Sequence, residues 1–319
     1  MADSHSVFAT LDGRLAKAIR DRGFADPTEI QRLAFPLLAT GSDALLLSPT
    51  GTGKTEAVLL PLLSQRLREA TPPISILYVT PLRALNRDLE LRIVGLVKEV
   101  ELSAAVRHGD TSSSARLAQS RRPPDLLLTT PETLQLLLTG PRLRESLKNV
   151  RSVVIDEVHE LVGSDRGAQL SITLERLDRL AGRTVRRIGL SATVGNPEEV
   201  ARFLSPHPRH MEVRAAEERR PLELTARRPG GGRPPLEEAL VRELKADAAL
   251  LEGLRAVEEE IRSHRTTLVF VNTRPTAEGL AARTGRIDAD ARRGGPITKI
   301  ALSHALAPAM KDKGHCVVR

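Results

Sequence analysis

Short apolar runs recur along the first 190 residues of the chain, and each is four to six residues long. Segments long enough to form helices separate these runs. This alternation predicts a parallel sheet whose strands are joined by crossover helices, so a three-layer α/β domain is expected. The predicted strands cover residues 44–47, 75–80, 125–130, 152–155 and 187–190.

Polar residues follow four of these predicted strands. Because the loops at the carboxyl ends of parallel strands form the ligand site in such sheets, four polar endings in succession indicate one shared face where chemistry takes place. The endings are Thr80-Pro81, Thr129-Thr130-Pro131-Glu132, Asp156-Glu157 and Ser191-Ala192-Thr193.

The first predicted strand leads into Ser-Pro-Thr-Gly-Thr-Gly-Lys-Thr at residues 48–55, and a helical pattern follows at residues 56–68. In a strand, glycine turn and helix of this kind, backbone N–H groups converge on an anion at the helix N-terminus. The order of glycines, lysine and threonine is typical of a loop that wraps the phosphates of a nucleotide. A glycine-rich turn that binds nothing is the alternative.

Individual positions of this loop have separate predicted roles. Gly51 and Gly53 permit backbone conformations that other residues avoid. Lys54 would reach the outer phosphates, and the Thr55 hydroxyl would hold Mg²⁺. Ser48 stands where the strict pattern has glycine, which argues against a simple nucleotide kinase and suits a variant found in nucleic-acid motors. The predicted nucleotide-binding residues of the loop are Thr50, Gly51, Thr52, Gly53, Lys54 and Thr55.

A second motif, Asp156-Glu157-Val158-His159, directly follows the predicted strand at residues 152–155. At a strand tip, Asp156 can hold Mg²⁺, and Glu157 beside it can position or deprotonate water. The alternative is that these are two solvated acids in a surface turn. The presence of a phosphate loop in the same chain argues against that alternative. The predicted catalytic residues are Lys54, Asp156 and Glu157, and the predicted metal ligands are Thr55 and Asp156.

Six further segments accompany these two motifs in a set order. They are FADPTEIQ at residues 24–31, TPLRAL at 80–85, HGDT at 108–111, TPETL at 130–134, SAT at 191–193 and VFVNTR at 269–274. In these segments the chain resembles superfamily 2 nucleic-acid helicases of the DExH type, and most of all the large helicase-related (Lhr) group.

The resemblance implies two RecA-like domains, with ATP and Mg²⁺ as cofactors. The segment at residues 24–31 resembles the one that reads adenine, where the Gln31 amide would pair with the base edge. Phe24, Thr28 and His159 are implied at the same nucleotide site.

Three of the segments resemble those that touch a nucleic-acid strand, and the last resembles the opening of a second motor domain. Helix starts with Thr, Gly and backbone N–H groups bind phosphates regardless of sequence. Taken singly, His108-Gly109 also fits a strand-ending turn, and residues 191–193 fit a helix cap. The residues implied in nucleic-acid binding are Pro81, Arg83, Gly109, Asp110, Thr130, Pro131, Thr273 and Arg274; those implied in coupling hydrolysis to domain movement are Ser191 and Thr193.

Composition limits the remaining possibilities. With 319 residues, 40% of them hydrophobic, the chain can bury a full core and should hold two domains. Its single cysteine, Cys316, excludes a disulfide framework and a four-cysteine metal site built by this chain alone. The absence of a membrane-spanning apolar stretch and of a secretory signal pattern predicts a cytoplasmic protein.

The net charge of +8 is only weak evidence for a surface that binds nucleic acid. From Arg283 onward, eight Lys and Arg residues against three Asp residues contribute +5 of it. Aromatic residues make up 2% of the chain and tryptophan is absent, which argues against stacking bases on a row of rings. Contacts to phosphates are expected instead.

The predicted domains are residues 1–213, an Arg- and Gly-rich linker at 214–235, and a partial second RecA-like domain at 236–319. Helical spacing of apolar residues is found at positions 236–265. The family implies a later segment whose arginines reach the γ-phosphate, and no such segment is recognisable here. An arginine finger is worth about 10³–10⁵ in rate, so turnover would fall without it.

Two hypotheses follow. The first is an ATP-dependent helicase or translocase, with DNA favoured over RNA, a missing lobe supplied by a second polypeptide, and a leaning towards DNA repair. The second is a truncated ATP- and nucleic-acid-binding module with little catalysis of its own. A metabolic phosphotransferase is a third, less favoured reading.

Overall fold

The computed structural model describes residues 7–24, 26–69, 71–81, 85–192, 194–205, 211–216, 224–226, 248–264, 267, 269 and 316–318. The chain divides into two compact units, Met1–Arg219 and Arg220–Arg319.

The first unit is built around a seven-stranded sheet in which every ladder is parallel. The strands lie in the order β3-β4-β2-β5-β6-β1-β7. Their bounds are β1 Ala44–Leu47, β2 Ile76–Val79, β3 Ala104–Arg107, β4 Leu126–Thr129, β5 Ser152–Ile155, β6 Arg186–Ser191 and β7 Glu212–Ala215.

Helices connect the strands, and several begin at residues suited to a helix start. Side chains of five N-cap residues accept backbone N–H bonds: Asp12, Ser112, Thr130, Ser164 and Asn196. The helices are α1 Gly13–Asp21, α2 Glu29–Ala39, α3 Lys54–Arg68, α4 Leu85–Glu99, α5 Ser113–Arg121, α6 Pro131–Thr139, α7 Pro141–Leu147, α8 Asp165–Ala181 and α9 Pro197–Leu204, with 3-10 turns at Val7–Thr10 and Val158–Glu160.

Both faces of the sheet are covered, as the side chains of β1 illustrate. Leu46 packs in one apolar cluster with residues of α2 and α3, whereas Leu45 and Leu47 pack in another with residues of α6 and α8. Successive strand residues point to opposite faces, so a fully apolar strand supplies both clusters. The predicted three-layer α/β fold is confirmed.

All five predicted strands are confirmed to within one residue at either end, and the predicted helix after the phosphate loop begins two residues earlier, at Lys54. Two strands of this unit were not predicted. Ala104–Arg107 is a partly exposed strand that ends in an arginine, and Glu212–Ala215 is a partly exposed edge strand with two charged residues. The alternative of a helix cap at residues 191–193 is wrong, because Ser191 ends β6 and Asn196 caps α9.

Three elements of the second unit are described. Strands β8 (Leu224–Ala226) and β9 (Cys316–Val318) form an antiparallel pair, and α10 spans Ala248–Ser263. Helix α10 confirms the helical pattern over its own length, while residues 236–247 lie outside the described part. Within the described residues of both units, no helix is long and apolar enough to cross a membrane.

Candidate nucleotide-binding site

The loop between β1 and α3 lies at the carboxyl edge of the sheet. The Ser48 N–H donates to the Ser191 carbonyl at 3.2 Å, which continues the pairing of β1 with β6. The chain then turns through Gly51 and Gly53, whose φ angles are +77° and +83°. These positive values require glycine-like freedom, as the sequence predicted.

Buried hydroxyl groups close this loop from the inside. The Thr52 hydroxyl donates to the Pro49 carbonyl at 2.9 Å. Its oxygen lies 2.7 Å from the Ser48 hydroxyl, which must therefore be the donor in that bond. Ser48 is fully buried and Thr52 nearly so. The serine that replaces the first glycine of the strict pattern therefore stabilises the loop, because its hydroxyl joins the two ends of the turn.

The Lys54 ammonium is held within the same loop. It donates to the carbonyl oxygens of Ser48 and Pro49, the latter at 3.0 Å. Burial lowers the pKa of Lys54, while the charges of Glu157 and Asp156 oppose that shift. As a cation in the cleft, Lys54 can offer an anion a charge-assisted hydrogen bond.

Helix α2 contacts the loop through Gln31, which is almost fully buried. Its Oε1 accepts from the Thr28 N–H at 3.0 Å, and its Nε2 donates to the Gly53 carbonyl at 3.4 Å. A Cβ atom at Gly53 would lie 2.7 Å from that Nε2, so the contact also needs glycine. Both polar atoms of Gln31 are therefore engaged within the protein, and its predicted pairing with a base stays a prediction.

Asp156 follows β5 and is held from two sides. Its Oδ1 accepts from the Glu157 N–H at 2.9 Å, and its Oδ2 accepts from the Tyr78 hydroxyl at 2.6 Å. Burial raises the pKa of Asp156, although both hydrogen bonds and the Lys54 charge counteract the rise. Burial, followed by the charge and the hydrogen bond of Asp156, raises the pKa of Tyr78 well above its ordinary value, so its phenol remains a donor.

Glu157 has an unusual backbone for a residue with a side chain, with φ at +46°. Such strained positions concentrate at functional sites. Its Oε2 lies 3.4 Å from His159 Nδ1, and that nitrogen lies 3.1 Å from the Ser191 hydroxyl. Burial, and next the charge of Asp156, raise the pKa of Glu157. His159 therefore connects the acidic motif to the end of β6.

Several of these groups line one cleft of about 410 Å³. All the predicted nucleotide residues except His159 line it, and among them Phe24 is 40% exposed. The sequence did not single out Tyr78, nor the Glu56–Arg92 ion pair of 2.9 Å at the cleft wall. The lining residues are Phe24, Asp26, Thr28, Gln31, Thr50, Gly51, Thr52, Gly53, Lys54, Thr55, Glu56, Thr80, Arg92, Asp156 and Glu157.

Predicted nucleic-acid contacts lie at the neighbouring ends of β2, β3 and β4. Arg166 joins two of these loops, since it donates to the Pro81 carbonyl at 3.1 Å and to Glu132 at 2.7 Å. Thr130 is buried and caps α6, with Pro131 at the first helical position. These residues stay predictions as nucleic-acid contacts, and Arg83, Thr193, Thr273 and Arg274 lie outside the described part.

The turn after β3 is the strand-ending turn that the sequence left open. The Gly109 carbonyl accepts from Arg116 at 2.6 Å, and the Asp110 N–H donates to His108 Nδ1 at 3.1 Å. A second cavity, of about 390 Å³, adjoins this turn and is lined by residues of β3, α5, α6 and α7. The turn therefore has local partners of its own beside its predicted contact with nucleic acid.

The sequence of the chain is similar to those of known helicases. A DEAD/DEAH box helicase family model matches residues 28–200, which is more than half of the chain. The Lhr helicase/uracil glycosylase of Escherichia coli is 34% identical over 339 residues, covering 95% of this chain and 22% of that protein. The ATP-dependent helicase Lhr-Core of Methanothermobacter thermautotrophicus is 36% identical over 289 residues, covering 81% of this chain and 31% of that protein.

Among solved structures, Mycobacterium smegmatis helicase Lhr bound to ssDNA and AMP-PNP is similar with a TM-score of 0.73 and 33% identity. The match covers 90% of this chain and 37% of that one. The chain thus spans between 22% and 37% of the length of these three relatives. Family model, relatives and structure agree with the resemblance that the motifs indicated, and the chain belongs to the DEAD/DEAH box helicase family, with Lhr helicases among its relatives.

Proposed function

We propose that the chain binds ATP with Mg²⁺ in the cleft at the carboxyl edge of its sheet and hydrolyses it while the neighbouring loops hold a nucleic-acid strand. One observation carries the proposal. Lys54, Thr55, Asp156 and Glu157 come from two separate loops and line a single cleft. This is the set of groups that phosphoryl transfer requires.

The phosphate loop would hold the triphosphate. Lys54 is buried and donates to carbonyl oxygens of its own loop, which are neutral acceptors. A phosphate oxygen would give the ammonium a charged acceptor, and charge-assisted bonds are about twice as strong as neutral ones. The N-terminus of α3 adds backbone N–H groups and a favourable dipole for the same anion.

The Thr55 hydroxyl and the Asp156 carboxylate fit a magnesium site. Both are hard oxygen donors, and Mg²⁺ in nucleotide sites takes one or two such protein ligands together with phosphate oxygens. When bound, the ion supplies neutralisation of charge on those oxygens. Asp156 is already fixed by two hydrogen bonds, which supports its role as a ligand of defined orientation.

Glu157 would take a proton from the attacking water. Burial and the nearby Asp156 charge raise its pKa, which makes the carboxylate a stronger base than a solvated one. His159 lies between this base and Ser191, and it would transmit movement of the β6 end to the site. We propose that Ser191, which His159 links to this base, couples hydrolysis to domain movement together with Thr193, which lies outside the described residues.

DNA is the strand that we propose. The 33% identical Lhr structure is bound to ssDNA, and relatives are named ATP-dependent helicases. We also propose a cytoplasmic location, a role in DNA repair, and a second lobe that completes the motor, either from a second polypeptide or from this chain. The remaining hypothesis, a binding module with little hydrolysis, differs from this one in turnover alone.

Two variants test the proposal. Lys54→Ala should lose nucleotide binding, because it removes the phosphate contact, whereas Glu157→Gln should bind nucleotide about as well as wild type and stop hydrolysis. Fluorescence anisotropy of a labelled ATP analogue measures binding, and phosphate release with and without single-stranded DNA or RNA measures turnover. Lys148→Ala is a matched control, since this lysine pairs with Glu145 on the surface.

Outcomes of these assays separate the hypotheses. Unchanged turnover in Glu157→Gln would overturn its role as base. Tight Mg²⁺-dependent binding without turnover in wild type would favour the binding module. Phosphorylation of a small molecule without nucleic acid would favour the phosphotransferase.

A further inference from the structure

Tyr78 is fully buried in β2, near the middle of the sheet. It pairs in register with Leu128 on one side and Val154 on the other. Its ring packs in the apolar cluster beneath α3, where phenylalanine would fit equally well. The ring alone therefore does not explain why this position carries a hydroxyl group.

That hydroxyl group contacts one of the predicted metal ligands. It donates to Asp156 Oδ2 at 2.6 Å, and the Thr55 side chain lies near it. Thr55 comes from the phosphate loop and Asp156 from the end of β5. The phenol is thus a buried bridge from β2 to the loop that carries Asp156.

We propose that Tyr78 is a positioning residue for the magnesium site, whose hydroxyl sets the orientation of the Asp156 carboxylate. This inference rests on the proposed function. Each Asp156 oxygen has one inward bond, from Tyr78 or from the Glu157 N–H. A carboxylate oxygen can accept more than one bond, so lone pairs remain for a ligand in the cleft.

The nature of the ion makes this orientation important. Mg²⁺ demands nearly ideal octahedral geometry, whereas Ca²⁺ accepts varied numbers and angles of oxygen ligands. A carboxylate that can rotate would therefore weaken the Mg²⁺ site more than a Ca²⁺ site. A hydroxyl that only satisfies the buried core would affect both ions alike.

The first experiment compares wild type, Tyr78→Phe and Leu128→Val as full chains. Nucleotide binding is titrated with Mg²⁺, with Ca²⁺ and in the presence of EDTA. In Tyr78→Phe the half-saturating Mg²⁺ concentration should rise about tenfold, the order expected for losing one hydrogen bond to a charged group. The Ca²⁺ midpoint and the affinity in EDTA should change less than about threefold.

Leu128→Val is the matched packing control. Leu128 is the cross-strand neighbour of Tyr78 in the same apolar cluster and carries no polar side-chain atom. Removing one methylene there perturbs the core while leaving the hydroxyl bridge in place. Its Mg²⁺ midpoint should equal that of wild type.

The second experiment observes the bridge directly. Tyr78 is the single tyrosine of the chain, and the chain has no tryptophan. Carbon-13 labelling of tyrosine rings therefore gives NMR signals from this one side chain. The signals should shift when nucleotide and Mg²⁺ are added together and remain in place when nucleotide is added with EDTA.

Each outcome bears on a separate claim. The inference would be overturned if Tyr78→Phe left the Mg²⁺ midpoint unchanged. It would also be overturned if the ring signals did not respond to Mg²⁺ although wild type binds nucleotide. Either result would leave the proposed function standing. If Tyr78→Phe weakened nucleotide binding equally in Mg²⁺, Ca²⁺ and EDTA, Tyr78 would contribute to the core alone and the inference would be overturned. A wild-type chain that binds no nucleotide would overturn the proposed function and the inference with it.

Discussion

Arg187 carries its guanidinium from β6 into the interior, with 3% of the side chain exposed. One terminal nitrogen pairs with Glu175 at 2.8 Å and Asp178 at 2.7 Å, and the other donates to the Leu204 carbonyl at 2.9 Å. These bonds fasten β6 to α8 and to the end of α9. We expect Arg187→Met to destabilise the first unit, because methionine fills the stem but leaves these partners without their cation.

The size of this effect follows from the exposure of the partners. Removing one member of a buried ion pair costs about 3–5 kcal/mol. The Glu175 side chain is 56% exposed and can be rehydrated. The Asp178 side chain is 15% exposed, but it still accepts a hydrogen bond from the Val185 N–H at 2.9 Å. The lower value, about 3 kcal/mol, is therefore expected. For a unit of this size it corresponds to a decrease in Tm of about 6–12 °C.

Arg186 provides the control, since it is the adjacent residue in the same strand. Its Nε donates to the Ser42 carbonyl at 2.7 Å, and one terminal nitrogen is buried without a partner in the described part of the chain. Burial lowers the pKa of Arg186 to about 10. Arg186→Met removes one neutral acceptor contact and an unfavourably buried cation together, so it should cost less than about 1 kcal/mol.

Thermal unfolding followed by far-UV circular dichroism compares the two variants with wild type. We expect the unfolding midpoint of Arg187→Met to lie at a clearly lower temperature than that of Arg186→Met. If the two midpoints fall within about 2 °C of each other, the difference between them is under about 1 kcal/mol, and the argument from the buried ion pairs is refuted.

Two further predictions concern the site itself. Thr52→Val keeps the volume of the side chain but leaves the Ser48 hydroxyl buried without its acceptor, so nucleotide affinity should fall about tenfold; affinity within twofold of wild type, measured by anisotropy of a labelled ATP analogue, would contradict this. Ser191→Ala removes the partner of His159 Nδ1, so nucleotide affinity should persist while stimulation of hydrolysis by single-stranded DNA falls. The ratio of phosphate release with and without DNA measures that coupling, and an unchanged ratio would count against the contact.

Much of the fold could be predicted because buried parallel strands have a simple sequence signal. A strand covered on both faces is apolar at most positions, so Ala44–Leu47 and Ser152–Ile155 are visible as largely apolar runs. Strands at the two edges of the sheet are under weaker constraint. Ala104–Arg107 and Glu212–Ala215 are partly exposed, and their mixed composition resembles that of a loop.

The cleft-facing groups of the candidate site could also be predicted, because glycine, lysine and acidic residues directly follow buried strands in the order that a phosphate loop and its acidic partner need. Their supports could not be predicted from motifs. Tyr78 looks like an ordinary core residue within an apolar strand, and Ser48 looks like a departure from a pattern. Their roles depend on cross-strand register and loop closure, which bring Tyr78 beneath Asp156 and Ser48 against Thr52.

Hidden supports of this kind recur around the cleft, and they share one physical cause. Each predicted group is a strongly polar side chain placed where water is partly excluded, and an unpaired polar group costs most in such a place. Gln31 is held by the Gly53 carbonyl, Asp156 by Tyr78, and His159 by Ser191. These bonds join different elements: α2 to the phosphate loop, β2 to the acidic motif, and the acidic motif to the end of β6. The coupling proposed for Ser191 would act through the last of these contacts, since His159 joins Ser191 to the acidic motif.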